Sequence, residues 1–497
     1  MITLIHPGTP RIIYGSLSDD LTAIEPPTWC RMIAGWLRDR GYEAKIIDQE
    51  AEGLTASQVA VSVAATEPQL IAIVVSGHQP SASTQQMPAA REVAKAVKGI
   101  APTLLLGNHP SALPFQTLAE EPVNYVCDGE GPLTIKGLLD GNTEVRGLSW
   151  LESNGDGHYV SPATLIPIDD LHGDVWDLLP MGKYRAHTWQ CLDGSPRTPY
   201  ASIYTTLGCP FKCSFCMINV FQHSNRYRMR TPIRVVEQIE HLYRTYGVTT
   251  LKIADEMFVL NERHYTAICE GLAARRFADE LNIWAYARID TIKPDKLKLL
   301  RQAGIKWLAL GIESGSAHVR DGAEKSLTDQ DIREAVAAVQ KAGINVIGNF
   351  IFGLPDDTFS SMSDTLNLAK SLDLEFANFY SAMAYPGSKL FDQTDPKDLP
   401  ESWSGYSQHS YDCTPLPTET LSSADVLSFR DRAFMDFFTD PRYLDRIEDK
   451  FGAAAEIELM TRTTLPRKLL EDYHGDHLHH DLGRRAGFPN DNRLCAD

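Results

Sequence analysis

The sequence predicts an α/β protein in which two stretches of alternating strands and helices precede a mostly helical region. Two observations lead to this prediction. Short β-branched runs alternate with helix-like stretches over the first 140 residues, and the same alternation starts again at Tyr200. The 497 residues are enough for roughly three domains of about 150 residues. We divide the chain into a first domain at 1–141, a connector at 142–198, a second domain at 199–395 and a helical region at 396–497.

The first domain is predicted to be a parallel sheet built from βαβ units. Strands are expected at 2–7, 44–49, 70–77, 103–107 and 124–129, with helices near 28–40, 55–66 and 84–98. Such sheets bind ligands beyond the carboxyl ends of their strands. Three glycine-bearing loops fall there, and we expect them to form a cradle, although each glycine could serve only to turn the chain. The loops contain Ser76, Gly77 and His78; Gly107, Asn108 and His109; and Gly129, Glu130 and Gly131.

Six further strand and helix units predict that the second domain is a partial (β/α)6 barrel. Its strands are expected near 200–206, 250–254, 283–288, 307–312, 345–352 and 376–382. Two helix starts are marked: Thr231 before Pro232 is expected to be an N-cap, and Thr328 with Asp331 resembles a capping box. The connector is predicted to consist of turns with one hairpin at most. The helical region is expected to cap the barrel mouth.

Charge and composition exclude several classes of function. The 65 acidic and 47 basic residues give a net charge of −18, which argues against general affinity for nucleic acid or anionic membranes. The longest apolar runs, such as 70–75, are far shorter than the roughly 18 residues of a membrane span. With no basic leader at Met1 and an odd count of nine cysteines, we expect a cytoplasmic protein in a reducing compartment.

Three of the cysteines are clustered, whereas the other six are scattered singly. Cys209, Cys213 and Cys216 follow the first barrel strand, at the edge where α/β barrels place their chemistry. Three thiolates can bind three irons of a four-iron cluster and leave the fourth iron open to a ligand. The alternatives are a zinc site and inert cysteines. Zinc usually takes a fourth Cys or His at finger-like spacing, and the nearest histidine is His223, seven residues after Cys216.

A basic segment surrounds the cysteines. No Asp or Glu occurs from Arg197 through Val236, although the chain as a whole is acidic. We expect its cations to favour an anionic cluster and a ligand that bears a carboxylate, with a solvated basic loop as the alternative. These cations are Arg197, Lys212, Arg226, Arg228, Arg230 and Arg234.

With Phe215 directly before the last cysteine, the triplet resembles that of the radical S-adenosylmethionine (SAM) enzymes. The chain is most similar to the class B, methyltransferase-like members, which have a Rossmann-like cobalamin-binding domain at the N-terminus. The segments YRMRTP, KIADEMF, YARID, ALGIESGS, VIGNFIFGLPDDT and AYPGSKL follow the triplet in the family's order. The segments VVSGHQPSA, LLGNHPSALP and CDGEGPLT resemble the loops of the cobalamin domain. The resemblance runs from residue 1 to about residue 460.

The resemblance implies a [4Fe-4S] cluster on Cys209, Cys213 and Cys216 and a bound SAM on its open iron. It also implies roles for eight further residues. Phe215 packs near the adenine, Asp255 and Glu256 lie at the methionyl amino group, Arg288 takes the carboxylate, Glu313 and Ser314 bond the amino or ribose groups, and Asn349 and Ile351 line the adenine.

The resemblance further implies that the three glycine loops contact cobalamin, with one departure from many cobalamin proteins. The motif Asp-x-His-x-x-Gly, which supplies a lower-face histidine, is missing from residues 1–141. The sequence most similar to this motif, Asp170 with His172, lies in the connector. We therefore expect cobalt without a histidine ligand, the alternative being a domain that kept its fold and lost the cofactor.

The function implied by the resemblance is radical methylation. Reductive cleavage of SAM yields a 5′-deoxyadenosyl radical, which activates a carbon of a small-molecule substrate, and methylcobalamin supplies the methyl group. The alternatives are cyclisation or ring rearrangement with the same cofactors, and a non-catalytic sensor. The expected partners are the substrate and a reductase or flavodoxin-type electron donor, with no nucleic acid. The sequence assigns neither the substrate nor a catalytic side chain that touches it.

Overall fold

The computed structural model describes residues 1–8, 13–15, 18, 21–77, 80–142, 144–462 and 465–473. It contains two mainly parallel sheets with helices packed on them, followed by helices near the C-terminus. The predicted α/β fold class is confirmed. No helix within these ranges is both long and apolar enough to cross a bilayer.

The first sheet has seven strands in the order β2-β1-β3-β4-β5-β6-β7, of which β1 to β5 are parallel. The strands β6 and β7 form an antiparallel hairpin that pairs with β5. This hairpin comes from the expected connector, which therefore contributes two strands to the sheet. The strands are β1 (Ile2–His6), β2 (Ala44–Asp48), β3 (Leu70–Val75), β4 (Thr103–Gly107), β5 (Tyr125–Cys127), β6 (Leu148–Leu151) and β7 (Gly157–Tyr159).

Both faces of this sheet are buried beneath helices, which explains why its central strands are continuous apolar runs. The helices are α1 (Thr28–Arg38), α2 (Gln49–Glu52), α3 (Ala56–Ala64), α4 (Met87–Val97), α5 (Asn108–Ala112), α6 (Pro114–Glu120) and α7 (Pro132–Leu139).

The second sheet has six parallel strands in the order β15-β14-β13-β12-β11-β8, which is the arrangement of a partial barrel. A short antiparallel pair, β9 with β10, lies beside it. The strands are β8 (Tyr200–Ile203), β9 (Thr206–Leu207), β10 (Arg228–Met229), β11 (Thr250–Ile253), β12 (Asn282–Arg288), β13 (Ile305–Glu313), β14 (Asn345–Phe352) and β15 (Phe376–Ser381).

Helices cover the outer face of the barrel and fill much of the region after it. Those that alternate with the strands are α8 (Pro232–Tyr246), α9 (Glu262–Ala273), α10 (Leu297–Gln302), α11 (Ala317–Gly322), α12 (Asp329–Lys341) and α13 (Phe359–Ser371). Those after the last strand are α14 (Lys389–Gln393), α15 (Ser423–Phe438), α16 (Pro441–Phe451) and α17 (Ala454–Thr461).

The two marked helix starts have different outcomes. Thr328 and Asp331 form the expected capping box at the start of α12. Thr231 precedes α8 as expected, but its side chain makes no cap. Its hydroxyl donates instead to Asp169 at 2.5 Å, because the fold brings that carboxylate within reach.

The two sheets are joined by buried polar contacts. The Arg31 guanidinium donates to the carbonyls of Gly173 and Ser202, each at 2.6 Å, and so ties α1 to β8. Lys252 on β11 pairs with Glu25 at 3.2 Å, and both side chains are almost fully buried. These contacts pack α1 and the segment before it against strands β8 and β11 of the second sheet.

Candidate functional site

The three clustered cysteines lie on a closed loop that follows β9. Gly208 opens the loop with φ +87°, and a Cβ there would lie 2.2 Å from the Arg226 carbonyl oxygen, so only glycine fits. Asn219 closes the loop, since its side chain accepts from Cys209 N at 3.1 Å and donates to Cys209 O at 2.7 Å. Within it, Cys216 N donates to Cys213 O at 3.0 Å.

The thiols are partly buried and have cations nearby. Burial raises the pKa of Cys209 to about 11 and that of Cys216 to about 12. Burial also raises the pKa of Cys213, while Lys325 and Arg288 oppose the rise. The Arg288 guanidinium lies 3.8 Å from Cys213 Sγ, so it would compensate the charge of an iron-bound thiolate.

This donor set fits an iron–sulfur cluster. A cubane cluster binds its cysteines through separate irons, so its ligands do not meet at one point. The loop carries three free thiols, which is the number that leaves one iron of such a cluster open to a ligand.

Three of the six cations in the basic segment are engaged away from the thiols. Arg197 donates to the Ala186 carbonyl, and Arg228 pairs with Glu130. Arg230 is buried, where it donates to Tyr204 O at 3.2 Å. Lys212, Arg226 and Arg234 are exposed. The cation that reaches Cys213 comes from β12, because the barrel brings the end of that strand beside the loop.

Strand register aligns a row of polar positions across the open face of the barrel. Arg288 lies opposite Gly311, Gly311 opposite Asn349, and Asn349 opposite Asn378. Asn378 Nδ2 donates to Asn349 Oδ1 at 3.0 Å. Ile351 lies two residues further along β14, opposite Tyr380. The sequence analysis missed Asn378, although an amide inside the apolar strand FANFYS was a usable signal.

Glu313 ends β13 beside this row in a left-handed conformation, with φ +67°, which is uncommon for a residue other than glycine. Its Oε1 accepts from Lys325 Nζ at 2.5 Å, and Lys325 also donates to the Gly311 carbonyl at 2.9 Å. The sequence did not indicate Lys325, because only the folded chain brings this residue back to the end of β13. Ser314 is fully buried, and its hydroxyl lies 3.1 Å from that of Thr365.

The two acids after β11 differ in their contacts. Asp255 accepts from the backbone N of Thr205 at 2.5 Å and from the Thr205 hydroxyl, so it braces the strand before the cysteine loop. Glu256 Oε2 is buried, and no group among the described residues donates to it. Burial raises the pKa of Glu256 to about 8. The resemblance places the methionyl amino group of SAM beside this segment, and the buried Glu256 Oε2 could accept a hydrogen bond from it. Phe215 packs with Ile351 on one apolar cluster.

The structure brings the three glycine loops together. Ser76, Gly107, Asn108, Gly129 and Glu130 line one cavity, which Trp29 and Phe221 close. His78 lies outside the described residues, and Gly77 N donates to Ser83 at 3.3 Å. At Gly107, with φ +133°, a Cβ would lie 1.9 Å from the Val75 carbonyl oxygen. At Gly131 it would lie 2.6 Å from Leu106. The glycines therefore provide a backbone surface that side chains would fill.

Most polar side chains of these loops contact protein. Glu130 accepts from Arg228 at 2.5 Å and from Ile166 N at 2.9 Å. Asn108 donates to Met217 Sδ at 3.4 Å, which joins a glycine loop to the cysteine loop. His109 packs edge-on against Trp403, and burial lowers its pKa to about 3, so the imidazole is neutral.

His172 belongs to the sequence that most resembles the lower-face histidine motif, and it lies far from the glycine loops. Its Nε2 lies 3.1 Å from Asp39 Oδ2, at the C-terminal end of α1. That end of α1 lies at the edge of the sheet opposite the loops, because α1 runs antiparallel to the strands. The cradle therefore fits a corrinoid that takes no ligand from His172.

Comparisons with known proteins agree with this geometry. A model of the radical SAM superfamily matches residues 203–369, and a model of the B12 binding domain matches residues 18–139. The uncharacterized methyltransferase PH0819 of Pyrococcus horikoshii is 30% identical over 439 residues, which cover 86% of this chain and 90% of the relative. The chain belongs to the cobalamin-binding radical SAM family. Its cofactors are a [4Fe-4S] cluster, SAM and cobalamin, as the sequence predicted.

A further relative and two solved structures are also similar to this chain. An anaerobic magnesium-protoporphyrin IX monomethyl ester cyclase of Cereibacter sphaeroides is 25% identical and covers 86% of this chain and 68% of its own. The methyltransferase TsrM of Kitasatospora setae, solved with cobalamin and a [4Fe-4S] cluster, superposes with a TM-score of 0.65 at 18% identity over 89% of each chain. The radical enzyme OxsB superposes with a TM-score of 0.65 at 15% identity, and the match covers 93% of this chain and 71% of the OxsB chain. These two structures show the shared fold.

Proposed function

We propose that this member of the family is a C-methyltransferase that acts on an unactivated carbon of a small molecule. The observation that carries the proposal is the direct junction of the two cofactor sites, where Asn108 of a glycine loop bonds Met217 beside Cys216. When bound, the cofactors supply reductive SAM cleavage and a transferable methyl group. The near full-length methyltransferase relative favours methylation over the cyclase alternative, which matches at lower identity.

The residues of the chain hold and orient these groups. We propose that Arg288 receives the SAM carboxylate, that the orphaned carboxyl of Glu256 receives its amino group, and that Asn349 and Ile351 border the adenine with Phe215 behind them. We propose that Glu313, whose carboxylate pairs with Lys325, contacts the amino or ribose groups of the same ligand. Asp255 and Ser314 are positioning residues, because their polar atoms engage Thr205 and Thr365.

For cobalamin we propose a lower face without a histidine ligand. Gly77, Gly107, Gly129 and Gly131 bring backbone to the corrinoid, while Ser76, Asn108 and Glu130 border it. The bound cofactor should have a base-off spectrum, and His109→Gln should leave that spectrum unchanged. A nitrogen-ligated spectrum that is lost in His109→Gln would contradict this proposal.

The domain division and the cellular location complete the proposal. We propose a cobalamin domain at 1–141, a connector at 142–198, the SAM barrel at 199–395 and a capping region at 396–497. All eight cysteines within the described residues are free thiols, which supports a reducing, cytoplasmic location. We also propose a flavodoxin-type electron donor.

The test of function uses methyl-deuterated SAM. The loaded enzyme is incubated anaerobically with reductant and a metabolite extract, and the products are measured by mass spectrometry. Methylation predicts a product in which CD3 replaces a hydrogen, with 5′-deoxyadenosine and S-adenosylhomocysteine in equal amounts. Substrate loss and 5′-deoxyadenosine formation without S-adenosylhomocysteine or label in the product would favour cyclisation or rearrangement.

A further inference from the structure

Residues 403–409, which follow the last barrel strand, are fixed to both halves of the molecule. The Ser407 hydroxyl donates to the Ile13 carbonyl at 3.3 Å, and Ile13 lies in the segment after β1. Gln408 holds the end of β15, since its side chain accepts from Ser381 N at 2.8 Å and donates to Ser381 O at 2.9 Å. The segment 403–409 therefore joins the region after β1 to the carboxyl end of the last barrel strand.

Three aromatic side chains from three parts of the chain meet beside this segment. The rings of Tyr14 and His409 lie with their centroids 5.7 Å apart. Burial raises the pKa of Tyr14, and the electrostatic influence of Tyr380 adds to the rise, so the two phenols are near each other. We call Tyr14, Tyr380 and His409 the aromatic cluster.

The aromatic cluster contains polar atoms that lack partners. His409 Nδ1 is buried, and no group among the described residues bonds it. Burial, together with the nearby Arg430, lowers the pKa of His409 well below its usual range, so the imidazole is neutral. Tyr380 is half-buried, and none of the described residues bonds its hydroxyl. A buried polar atom without a partner is costly, and a ligand that bonds it removes that cost.

Charged groups near the aromatic cluster are paired with one another. Arg430 and Arg467, which both influence the imidazole, pair with Asp431 at 2.6 and 3.0 Å. Glu25, which influences the Tyr14 phenol, pairs with Lys252 at 3.2 Å. The aromatic cluster thus offers rings and neutral hydrogen-bonding groups to a ligand, and the surrounding charges are compensated within the protein.

The aromatic cluster lies between the two cofactor sites. Tyr380 is paired in register with Ile351, which we propose borders the adenine of SAM. Trp403, at the start of the segment that carries His409, packs edge-on against His109 of a glycine loop, with centroids 4.5 Å apart. Radical methylation removes a hydrogen from a carbon and then delivers a methyl group to the same carbon. The substrate therefore has to be held in reach of both cofactors.

We propose that Tyr14, Tyr380 and His409 recognise the substrate, and that the substrate is an uncharged aromatic molecule with a hydrogen-bonding substituent. The inference rests on the proposed function, which places a small molecule between the two cofactors. The rings of Tyr14 and Tyr380 pack on the ring of the substrate, and His409 Nδ1 bonds its substituent. These residues determine specificity and take no part in the cleavage of SAM.

The test measures binding of four two-ring probes to the full-length, cofactor-loaded enzyme without reductant. The probes are 2-naphthol, 2-methylnaphthalene, which lacks the hydroxyl, decahydro-2-naphthol, which lacks the aromatic rings, and 2-naphthoate, which is anionic. Equilibrium dialysis with chromatography of the free probe gives each dissociation constant. The variants are His409→Phe, Tyr14→Leu and Tyr14→Phe. Tyr411→Leu is the control, because Tyr411 is exposed in the same region of the chain and bonds only Glu471.

The wild type should bind 2-naphthol about tenfold more tightly than each of the other three probes. His409→Phe should weaken 2-naphthol about tenfold and leave 2-methylnaphthalene unchanged, because only the bond to the hydroxyl is lost. Tyr14→Leu should weaken both aromatic probes about fivefold, whereas Tyr14→Phe, which keeps the ring, should bind them as the wild type does. Tyr411→Leu should also behave as wild type.

Three results would overturn the proposal. One is a wild type that fails to bind 2-naphthol or that binds decahydro-2-naphthol equally well. Another is tighter binding of 2-naphthoate, which would show that the site prefers a charged ligand. The last is an equal loss of 2-naphthol and 2-methylnaphthalene in His409→Phe, which would indicate a structural role for the imidazole. The measurement needs no turnover, so a failure of methyl transfer and a failure of this site are distinguishable.

Discussion

The carboxyl edges of the two parallel sheets form ligand sites in different ways. In the barrel, the site consists of side chains: three thiols, the Arg288 guanidinium, the Asn349–Asn378 pair and the Glu256 carboxyl. In the first sheet, the cavity is shaped largely by glycine backbone, and the carboxylate of Glu130, which lines it, is engaged by Arg228. Parallel sheets of similar topology thus support two kinds of site: the barrel site is specified by side-chain chemistry, and the site on the first sheet is specified by shape.

This difference explains why substitutions should act differently at the two edges. In the barrel, removing a functional atom removes a ligand and leaves the fold intact. In the first sheet, adding an atom fills the cradle, and changing a polar side chain weakens the contact between the domains. Four substitutions test this contrast, from the largest expected effect to the smallest.

The largest effect is expected for Cys213→Ala. It removes one of three cluster ligands on a loop, so the protein should remain folded and lose nearly all of the about four irons bound after anaerobic reconstitution. Formation of 5′-deoxyadenosine should fall below detection. Cys191→Ala, outside the loop, is the control and should keep its iron. A Cys213→Ala protein with a full, active cluster would refute the side-chain assignment.

Gly107→Ala tests the shape of the cradle. Its Cβ would collide with the Val75 carbonyl, so cobalamin affinity should fall by more than about tenfold while the iron content stays the same. Gly53→Ala is the matched control in the same domain, because Gly53 also has a positive φ, +66°, but open space around it. The measurement is equilibrium binding of cobalamin followed by absorbance. Equal affinity in the two variants would show that backbone shape does not determine binding.

Arg228→Met tests the contact between the two edges. It leaves the buried Glu130 carboxylate without its cation, which should cost about 3 kcal/mol of stability. Denaturant unfolding should show the loss, whereas the iron content of the folded protein should not change. Arg38→Met removes an exposed pair with Asp177 and should cost less than about 1 kcal/mol. Similar losses in both variants would mean that burial of Glu130 adds nothing.

The smallest effect is expected for His223→Gln, and it depends on pH. The hydrogen bond to Asp128 raises the pKa of His223, so protonation stabilises the folded state. This stabilisation is complete below the unfolded pKa of about 6.5 and is lost as pH rises through the folded pKa. The difference in thermal midpoint from wild type should be larger near about pH 6 than near about pH 9.

An exposed histidine provides the control for this last prediction. His318→Gln makes the same change at a solvent-exposed position, and it controls for the loss of an imidazole as such. A difference between His223→Gln and wild type that grows with increasing pH would contradict the assignment.

The sequence by itself determined the features that depend on local spacing. Apolar runs and turn residues located β1 to β5 and the six barrel strands within a few residues, since hydrophobic alternation reflects burial directly. The same holds for the cysteine triplet and the capping box of Thr328, whose partners lie within three to seven residues. The family resemblance then assigned cofactors to the two sheet edges.

Only the tertiary structure decided the contacts between distant segments. Lys325 pairs with Glu313, Asn378 donates a hydrogen bond to Asn349, and Arg228 pairs with Glu130 rather than with the cysteine thiols. The hairpin of β6 and β7 joins the first sheet because β5 offers it an unpaired edge. Such contacts depend on strand register and on how the two sheets pack, whereas a sequence pattern records only the neighbours of each residue along the chain.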